Sequence, residues 1–584
     1  MNLLQLLKDQ FQSALADWVA DPAPYVAMVK PAQDPRFGDY QANCAMALAK
    51  VLGQKPRDIA QQIIGRLLLG DMLEPPEIAG PGFINLRFRD DWLARQLQAS
   101  AADDRLGIPL TPAPRTIVID YSSPNVAKPM HVGHLRSTII GDALARLLRF
   151  LGHKVITDNH LGDWGTQFGM LLYGYKHFRD EAALRSDPVR EMVRLYVHVR
   201  QLMDVQDEDE ETAANPVAEA ARHETAKLHA GDAENVRLWQ MFMPWCLAEI
   251  DKVYQRLDVH FDHTHGESFY NPMLADVVDD LLKKKIAEPS AGAIVIFFGE
   301  GQPPALIRKK DGAFTYTTSD LATIRYRMQE WHADAILYVV DFRQSLHFKN
   351  LFAAARRWGY DNVELEHISF GSVLGPDRRP IKTREGGAVE LEHLLNEAVE
   401  HARKVYEANR QEGDPILPEE EKQAIAEAVG IGAVKYADLS QNRESDYVFN
   451  WDKMLATDGN TATYMQYAYA RNRSIFRKGN EQPERFRTAP PLPIIRQPQE
   501  RALALQLLRL SEALDDAARD YRPNAITSYL WDLAKSYSGF FQNCPVLKAE
   551  TPPLRDSRLL LCDLTARTIQ QGLRLLGIRT LERM

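Results

Sequence analysis

The chain has 584 residues, 45% of them hydrophobic and 26% charged, with a formal net charge of −9. That length holds three or four globular domains, and the negative balance excludes a general polyanion binder, so any nucleic-acid contact must rest on locally concentrated basic residues. Cys44, Cys246, Cys544 and Cys562 are scattered without a C-x-x-C pair, which argues against a zinc ribbon and a disulfide scaffold and fits a reducing, cytoplasmic compartment.

Residues 1–18 carry Leu3, Leu4, Leu7, Phe11, Leu15 and Trp18 at helical spacing and read as an amphipathic helix rather than a signal peptide. Apolar runs of about 18 residues are absent, so no membrane partner is expected. Residues 31–40 are turn-rich, and residues 80–88 read as a turn and an alternating strand. The first 110 residues thus form a small α/β domain, closed by the Pro-rich linker Ile108-Pro109-Leu110-Thr111-Pro112-Ala113-Pro114.

Residues 116–119 are apolar and β-branched, a buried strand. Leu135, Ile139, Leu144, Leu147, Leu148 and Leu151 mark a long helix stopped near Gly152, and residues 154–157 form a second strand. Ligands of such a βαβ unit bind beyond the strand C-termini, where the turn from Asp120 to His134 lies. Pro124 and Pro129 fix φ there and lead the chain into the helix. His131 and His134, three apart, share one face, and Gly133 between them removes a side chain. With Lys128 and the helix N-terminus they make a polyanion-binding corner. It is not a Walker loop, because no G-x-x-x-x-G-K-[ST] pattern is present.

Residues 179–233 are helical and strongly charged. They include the acidic run 204–211, which reads as solvated surface or part of an insertion. His260, Asp262, His263 and His265 do not suggest zinc: they alternate or adjoin in an extended run with no second ligand pair nearby. Asp311 to Tyr316 suggests a tight turn feeding a strand, and Thr318-Ser319-Asp320 then opens a helix. Asp320 has two readings, a ligand carboxylate or a helix cap. Residues 335–340 form a buried parallel strand that places Asp341-Phe342-Arg343-Gln344 at its C-terminal end.

Residues 396–584 are mostly helical. Leu503, Leu507, Leu510 and Leu514 mark one apolar face, and residues 479–498 form a Pro-rich loop. From Arg555 to Met584 six arginines stand against three acids, a locally basic element. Tyr464 and Tyr467 lie on one helical face with Arg471 a turn further, either a packed aromatic stripe or a base-stacking surface.

Two strings carry a family resemblance. Ser-Ser-Pro-Asn-Val-Ala-Lys-Pro-Met-His-Val-Gly-His-Leu-Arg-Ser-Thr, from Ser122 to Thr138, resembles the HIGH signature of class I aminoacyl-tRNA synthetases in its arginyl-tRNA synthetase form. The likeness continues through Asn-His-Leu-Gly-Asp-Trp-Gly-Thr-Gln-Phe-Gly, from Asn159 to Gly169, and covers nearly the whole chain. It implies an α/β, Rossmann-like class I catalytic domain over 111–395 with insertions near 179–233. It also implies an N-terminal α/β appended domain over 1–110 that contacts the tRNA outer corner, and a C-terminal all-α anticodon-binding bundle over 396–584.

The implied activity is ATP-dependent ligation of L-arginine to tRNA(Arg) through arginyl-adenylate. ATP enters with Mg²⁺; no tightly bound cofactor and no protein-held metal are expected, and the chain is expected to act as a monomer. Catalysis falls to His131, His134, Lys128 and Lys382, with Pro124, Pro129, Gly133 and Arg384 joining them around ATP. The second class I signature, Lys-Met-Ser-Lys-Ser, becomes Ile381-Lys382-Thr383-Arg384-Glu385-Gly386-Gly387, which lacks the second lysine. Lys382, Arg384 and Lys128 are therefore alternatives for the main pyrophosphate contact. A guanidinium needs several acceptors, which carboxylates supply best. The resemblance implies Asp120, Ser123, Asn125, Glu267, Tyr316, Asp320 and Gln344 around arginine, and Tyr464, Tyr467, Arg471, Tyr529 and Met584 at the anticodon loop. The competing functions are a synthetase for another amino acid, a non-synthetase nucleotidyltransferase, and a silent tRNA-binding paralogue. The last would lack a signature histidine or Lys382, and all three are present.

Overall fold

The computed structural model describes residues 1–203, 215–299, 301–379, 381, 389–409 and 417–584. Lys382, Arg384 and the acidic run 204–211 lie outside the described residues. The chain divides into two compact units, one of Met1–Leu110, Ala456–Arg574 and Arg579–Met584, the other of Thr111–Leu455 and Leu575–Ile578.

The first unit joins both ends of the sequence. Its antiparallel sheet has the strand order Val29–Pro31, Tyr40–Ala42, Phe83–Leu86, Glu77–Ala79. The N-terminal helix Leu3–Leu15 buries Leu3, Leu7, Phe11 and Leu15 along its apolar stripe. Arg501, on the helix Pro498–Leu508, reaches Asp39 with both Nη atoms at 2.7 and 2.9 Å, and Tyr40 donates to Glu512. These largely buried bonds hold the N-terminal sheet to the C-terminal helices. Leu503, Leu507, Leu510 and Leu514 are all buried, but on two helices rather than one: the chain breaks at Arg509 between Pro498–Leu508 and Leu510–Arg519.

The second unit is built on a four-stranded parallel sheet. The elements that frame the site are, in chain order, β1 (Thr116–Asp120), α1 (Val132–Phe150), β2 (Lys154–Asp158), α2 (Thr166–Phe178), α3 (Ala233–Leu257), α4 (Tyr316–Gln329), β3 (Ala335–Tyr338), α5 (Ser345–Arg357) and β4 (Glu364–His367). The strand order is β4-β3-β1-β2, with Asp120 in register between Tyr338 and Asp158. The central strands are buried on both faces, which is why they read as apolar runs. The sheet therefore ends with two buried aspartates side by side at the edge where ligands bind.

Three sequence expectations change. The helices α6 (Leu391–Asn409) and α7 (Glu419–Leu439) group with the sheet, so the division falls after Leu455 and not after residue 395. The cause is buried polar anchoring: Asp438 on α7 pairs with Arg136 on α1 at 3.1 Å, and Lys435 donates to the Leu257 carbonyl at 2.6 Å. The turn at Gly312, with φ +90°, leads only to a single Arg308–Phe314 bridge, and α4 begins directly at Tyr316. Asp320 is consequently inside α4, not at its cap.

Candidate active site

The turn after β1 is strained and pinned. Ser122 and Ser123 have φ of +71° and +47°, a left-handed pair that non-glycine residues adopt at roughly 1–3 kcal/mol each. Hydrogen bonds hold it from several sides. Ser122 N–H donates to Ser137 Oγ at 2.8 Å, and its hydroxyl bonds Thr138 Oγ1 and the Tyr254 hydroxyl at 2.7 and 2.8 Å. Ser123 N–H donates to Asn159 Oδ1 at 3.0 Å, and its hydroxyl turns back to Asp120 Oδ1 at 3.0 Å. Pro124 is buried, and its carbonyl accepts from Gly162 at 3.1 Å. Asn125 forms a single bridge to Gly162 and accepts from Ala127 N–H at 3.2 Å, closing an Asx turn. Lys128 and Pro129 are half-buried beyond it.

His131 is the N-cap of α1, one position outside the helix. Its Nδ1 accepts from Gly133 N–H at 3.1 Å, while its own N–H donates to His134 Nδ1 at 3.1 Å. Both Nδ1 atoms are acceptors, so each neutral ring carries its proton on Nε2. The rings lie 3.9 Å apart between centroids. Burial, then His131 and Lys128, holds the His134 imidazole well below its ordinary value, so it stays neutral near pH 7. Two Nε2–H donors beside a helix N-terminus suit the oxygens of a polyphosphate. Gly133 has a different role from the one its sequence position suggests. A Cβ there would lie 2.8 Å from the His131 ring, so the glycine makes room for that ring. The chain re-entering at Val389 is hydrogen-bonded to this turn, Val132 N–H to Val389 O at 3.0 Å and Leu391 N–H to Met130 O at 2.8 Å.

Asp120 is not available to a substrate guanidinium. Arg327 of α4 donates to Asp120 Oδ2 at 2.6 Å and to Asp158 Oδ2 at 2.9 Å, and all three are buried. With Ser123 on the other oxygen, Asp120 is fully engaged in an internal ion cluster. Burial disfavours the Arg327 charge, but the two carboxylates outweigh it and hold its proton well above the ordinary arginine range.

Glu267, Asp320 and Tyr316 come together elsewhere at the same end of the sheet. Asp163 accepts from Ser268 N–H at 2.9 Å and from its hydroxyl at 2.5 Å, and Glu267 N–H donates to Leu161 O at 3.0 Å, so the Gly-Glu-Ser segment is fixed. Gly266 is needed for this, since a Cβ there would fall 2.4 Å from the Asp163 carboxyl. Burial pushes the Glu267 carboxyl up to about 7, with the negative charges of Asp163 and Asp320 adding to it against His160. Among the described residues no arginine or lysine pairs with Glu267 or Asp320. Tyr316 stands at the start of α4, one turn before Asp320, and is itself 73% exposed. Gln344 is exposed at the N-cap of α5. Two carboxylates at this edge, with no arginine or lysine against them among the described residues, form an acidic pocket that suits a cation.

Near this edge the histidines of 260–265 have other partners. His263 and His265 stack on Trp331 at 4.7 and 5.8 Å, His265 also on Phe269 at 4.1 Å, and Asp262 Oδ2 accepts from Thr157 N–H at 2.8 Å.

In the first unit, Tyr464, Tyr467 and Arg471 line one side of the helix Ala462–Gly479. Tyr467 is 47% exposed, Tyr464 packs edge-on to Trp531 at 5.5 Å, and the Arg471 guanidinium lies 4.5 Å over Phe541. Met584 is 37% exposed at the chain end. Tyr529 differs: it is 6% exposed and donates to the carbonyl of Gln506 at 3.0 Å, so it is a packing residue of the bundle. Sequence reading missed Trp531 and Phe541, which extend this face from the neighbouring helix Asn524–Asn543. It also missed Arg327, Asp158 and Asp163; acids closing two adjacent strands, Asp120 and Asp158, were the available signal for a buried cation.

The family described as tRNA synthetases class I (R), catalytic domain, matches residues 96–451. The DALR anticodon binding domain matches residues 465–584, and the Arginyl tRNA synthetase N terminal domain matches residues 5–88. The sheet unit is thus a class I tRNA synthetase catalytic domain, accompanied by an N-terminal domain and a helical anticodon-binding domain. An Arginine--tRNA ligase of Escherichia coli O157:H7 is 47% identical over 594 residues, covering 100% of each chain. That of Rhodopirellula baltica is 44% identical over 671 residues, again covering 100% of each. The solved arginyl-tRNA synthetase of Plasmodium falciparum superposes with a TM-score of 0.82 at 28% identity, covering 100% of this chain and 99% of that one. The Thermus thermophilus one superposes at 0.81 and 26% identity, covering 100% of both. The chain belongs to the arginyl-tRNA synthetase family, and its activity is the ATP-dependent ligation of arginine to tRNA. Among the described residues no helix is long and apolar enough to cross a membrane.

Proposed function

We propose that Glu267, Asp320 and Tyr316 select arginine by its guanidinium, and that His131, His134 and Lys128 hold the phosphates of ATP while arginyl-adenylate forms. The observation that carries the proposal is the carboxylate pair that no lysine or arginine among the described residues neutralises. Asn125 and Gln344 take the amino and carboxylate groups of the substrate. The arginine carboxylate attacks the α-phosphorus and pyrophosphate leaves; a terminal ribose hydroxyl of tRNA(Arg) then attacks the arginyl carbonyl, and AMP leaves. Charge grows on the phosphates in the first step, and preorganised Nε2–H donors meet it without reorganising. ATP enters as its Mg²⁺ complex, the metal bound through phosphate oxygens. Lys382 and Arg384 supply pyrophosphate contacts alongside Lys128. Asp120 and Ser123 act indirectly, by holding the turn. Tyr464, Tyr467, Arg471 and Met584 meet the anticodon loop, and the N-terminal domain meets the tRNA outer corner. The chain works as a monomer in the cytoplasm; its four free, buried thiols fit a reducing compartment.

The test is Asp320→Ala. The arginine KM is expected to rise by tenfold or more while the ATP KM moves by less than about twofold, the loss of a charge-assisted bond to one substrate only. Equal effects on both substrates would remove Asp320 from the amino-acid pocket.

A further inference from the structure

His347 belongs to none of the motifs above. It lies in the first turn of α5, three residues after Gln344, and its Nε2 meets Asp320 Oδ2 at 2.6 Å. Both side chains are largely buried, with 29% and 22% of their surface exposed. Among the described residues no other donor is bonded to the Asp320 carboxylate.

We propose that His347 is a positioning residue for arginine, holding one oxygen of Asp320 so that the other is aimed at the guanidinium. The inference rests on the reading of Asp320 as a guanidinium ligand. A carboxylate on a helix surface has two soft torsions, and a fork-shaped guanidinium rewards only a fixed acceptor plane. α4 alone does not fix that plane. A bond from a neighbouring helix does, and it removes the rotamers that would turn Asp320 away. The same bond moderates charge. Glu267 and Asp320 present two carboxylates to a substrate side chain of one positive charge, and a hydrogen-bond donor on Asp320 disperses part of the excess. Burial opposes protonation of the His347 ring, but Asp320 more than compensates and raises it above its ordinary value, which strengthens the donor.

The geometry names the atom. Glutamine places its amide nitrogen where the imidazole has Nε2; asparagine places its own where the ring has Nδ1. His347→Gln keeps the donor and His347→Asn loses it, while both are polar and suit a first helical turn. The experiment measures arginine and ATP KM, kcat and Tm for the full-length chain with cognate tRNA, for both variants and for Asp320→Asn. His347→Asn is expected to raise the arginine KM about tenfold with kcat and the ATP KM within about twofold. His347→Gln is expected to return the arginine KM to within about threefold of the parent.

An unchanged arginine KM in His347→Asn, with a raised one in Asp320→Asn, would overturn the inference and leave the pocket standing. An unchanged arginine KM in Asp320→Asn would overturn the pocket reading itself. A fall in Tm with kcat and both KM values worsening together in both histidine variants would assign His347 to folding alone, and would also overturn it.

Discussion

Glu267 should make arginine binding pH-dependent close to neutrality. Its carboxyl is pushed up to about 7, chiefly by burial. Only the anion accepts charge-assisted bonds from a guanidinium, so affinity is complete above that value and lost as pH falls through it. The ionised fraction is about ten in eleven one unit above the pKa and about one in eleven one unit below. The arginine KM should therefore rise about tenfold from pH 8 to pH 6. A carboxyl at the ordinary glutamate value would give almost no change over that range. The assay is aminoacylation at saturating Mg²⁺-ATP and tRNA, with arginine varied at each pH. Glu267→Gln should raise the KM at pH 8 by roughly ten- to a hundredfold, the worth of a bond to a charged group. It should also flatten the pH profile. A flat profile in the parent would refute the reasoning, as would an undiminished slope in Glu267→Gln.

Three further outcomes follow from the same geometry. Arg327→Met leaves Asp120 and Asp158 buried without their cation, and should cost about 3–5 kcal/mol in urea unfolding; a loss under 1 kcal/mol would show that the cluster relaxes. Gly133→Ala forces the His131 ring aside, because the new Cβ would meet it at 2.8 Å, so kcat should fall by about a hundredfold with Tm nearly unchanged; an unchanged kcat would mean that ring orientation is immaterial. Tyr467→Ala and Arg471→Ala should each raise the tRNA KM about tenfold or more while sparing the arginine KM, whereas Tyr529→Ala should lower Tm instead; a tRNA-specific defect in Tyr529→Ala with normal Tm would contradict its place in the bundle.

What the sequence disclosed is local. The turn from Asp120 to His134 was legible because its prolines, histidines and glycine lie within one stretch between a strand and a helix. Its strain was not, since the bonds holding Ser122 and Ser123 come from Ser137, Asn159 and Tyr254, far apart in the chain. In the sequence Asp120 reads as a substrate ligand because a carboxylate at a strand end looks the same whether it faces a guanidinium from outside or from Arg327. Asp320 passed for a possible cap because Tyr316-Thr317-Thr318-Ser319 is rich in residues of modest helix propensity, yet tertiary packing winds them into α4. The division after residue 395 follows the point where the chain turns mostly helical, whereas α7 is tied to α1 by Arg136–Asp438, a buried pair 302 residues apart. The aromatic face on Ala462–Gly479 was read from one helix, and its Trp531 and Phe541 portion required the second.

The most direct measurement is ATP–pyrophosphate exchange with each amino acid in turn, with and without cognate tRNA. The account predicts exchange that depends on arginine, requires the tRNA, and collapses for Asp320→Ala at arginine concentrations that saturate the parent. Exchange driven by another amino acid, or none even with tRNA present, would contradict it.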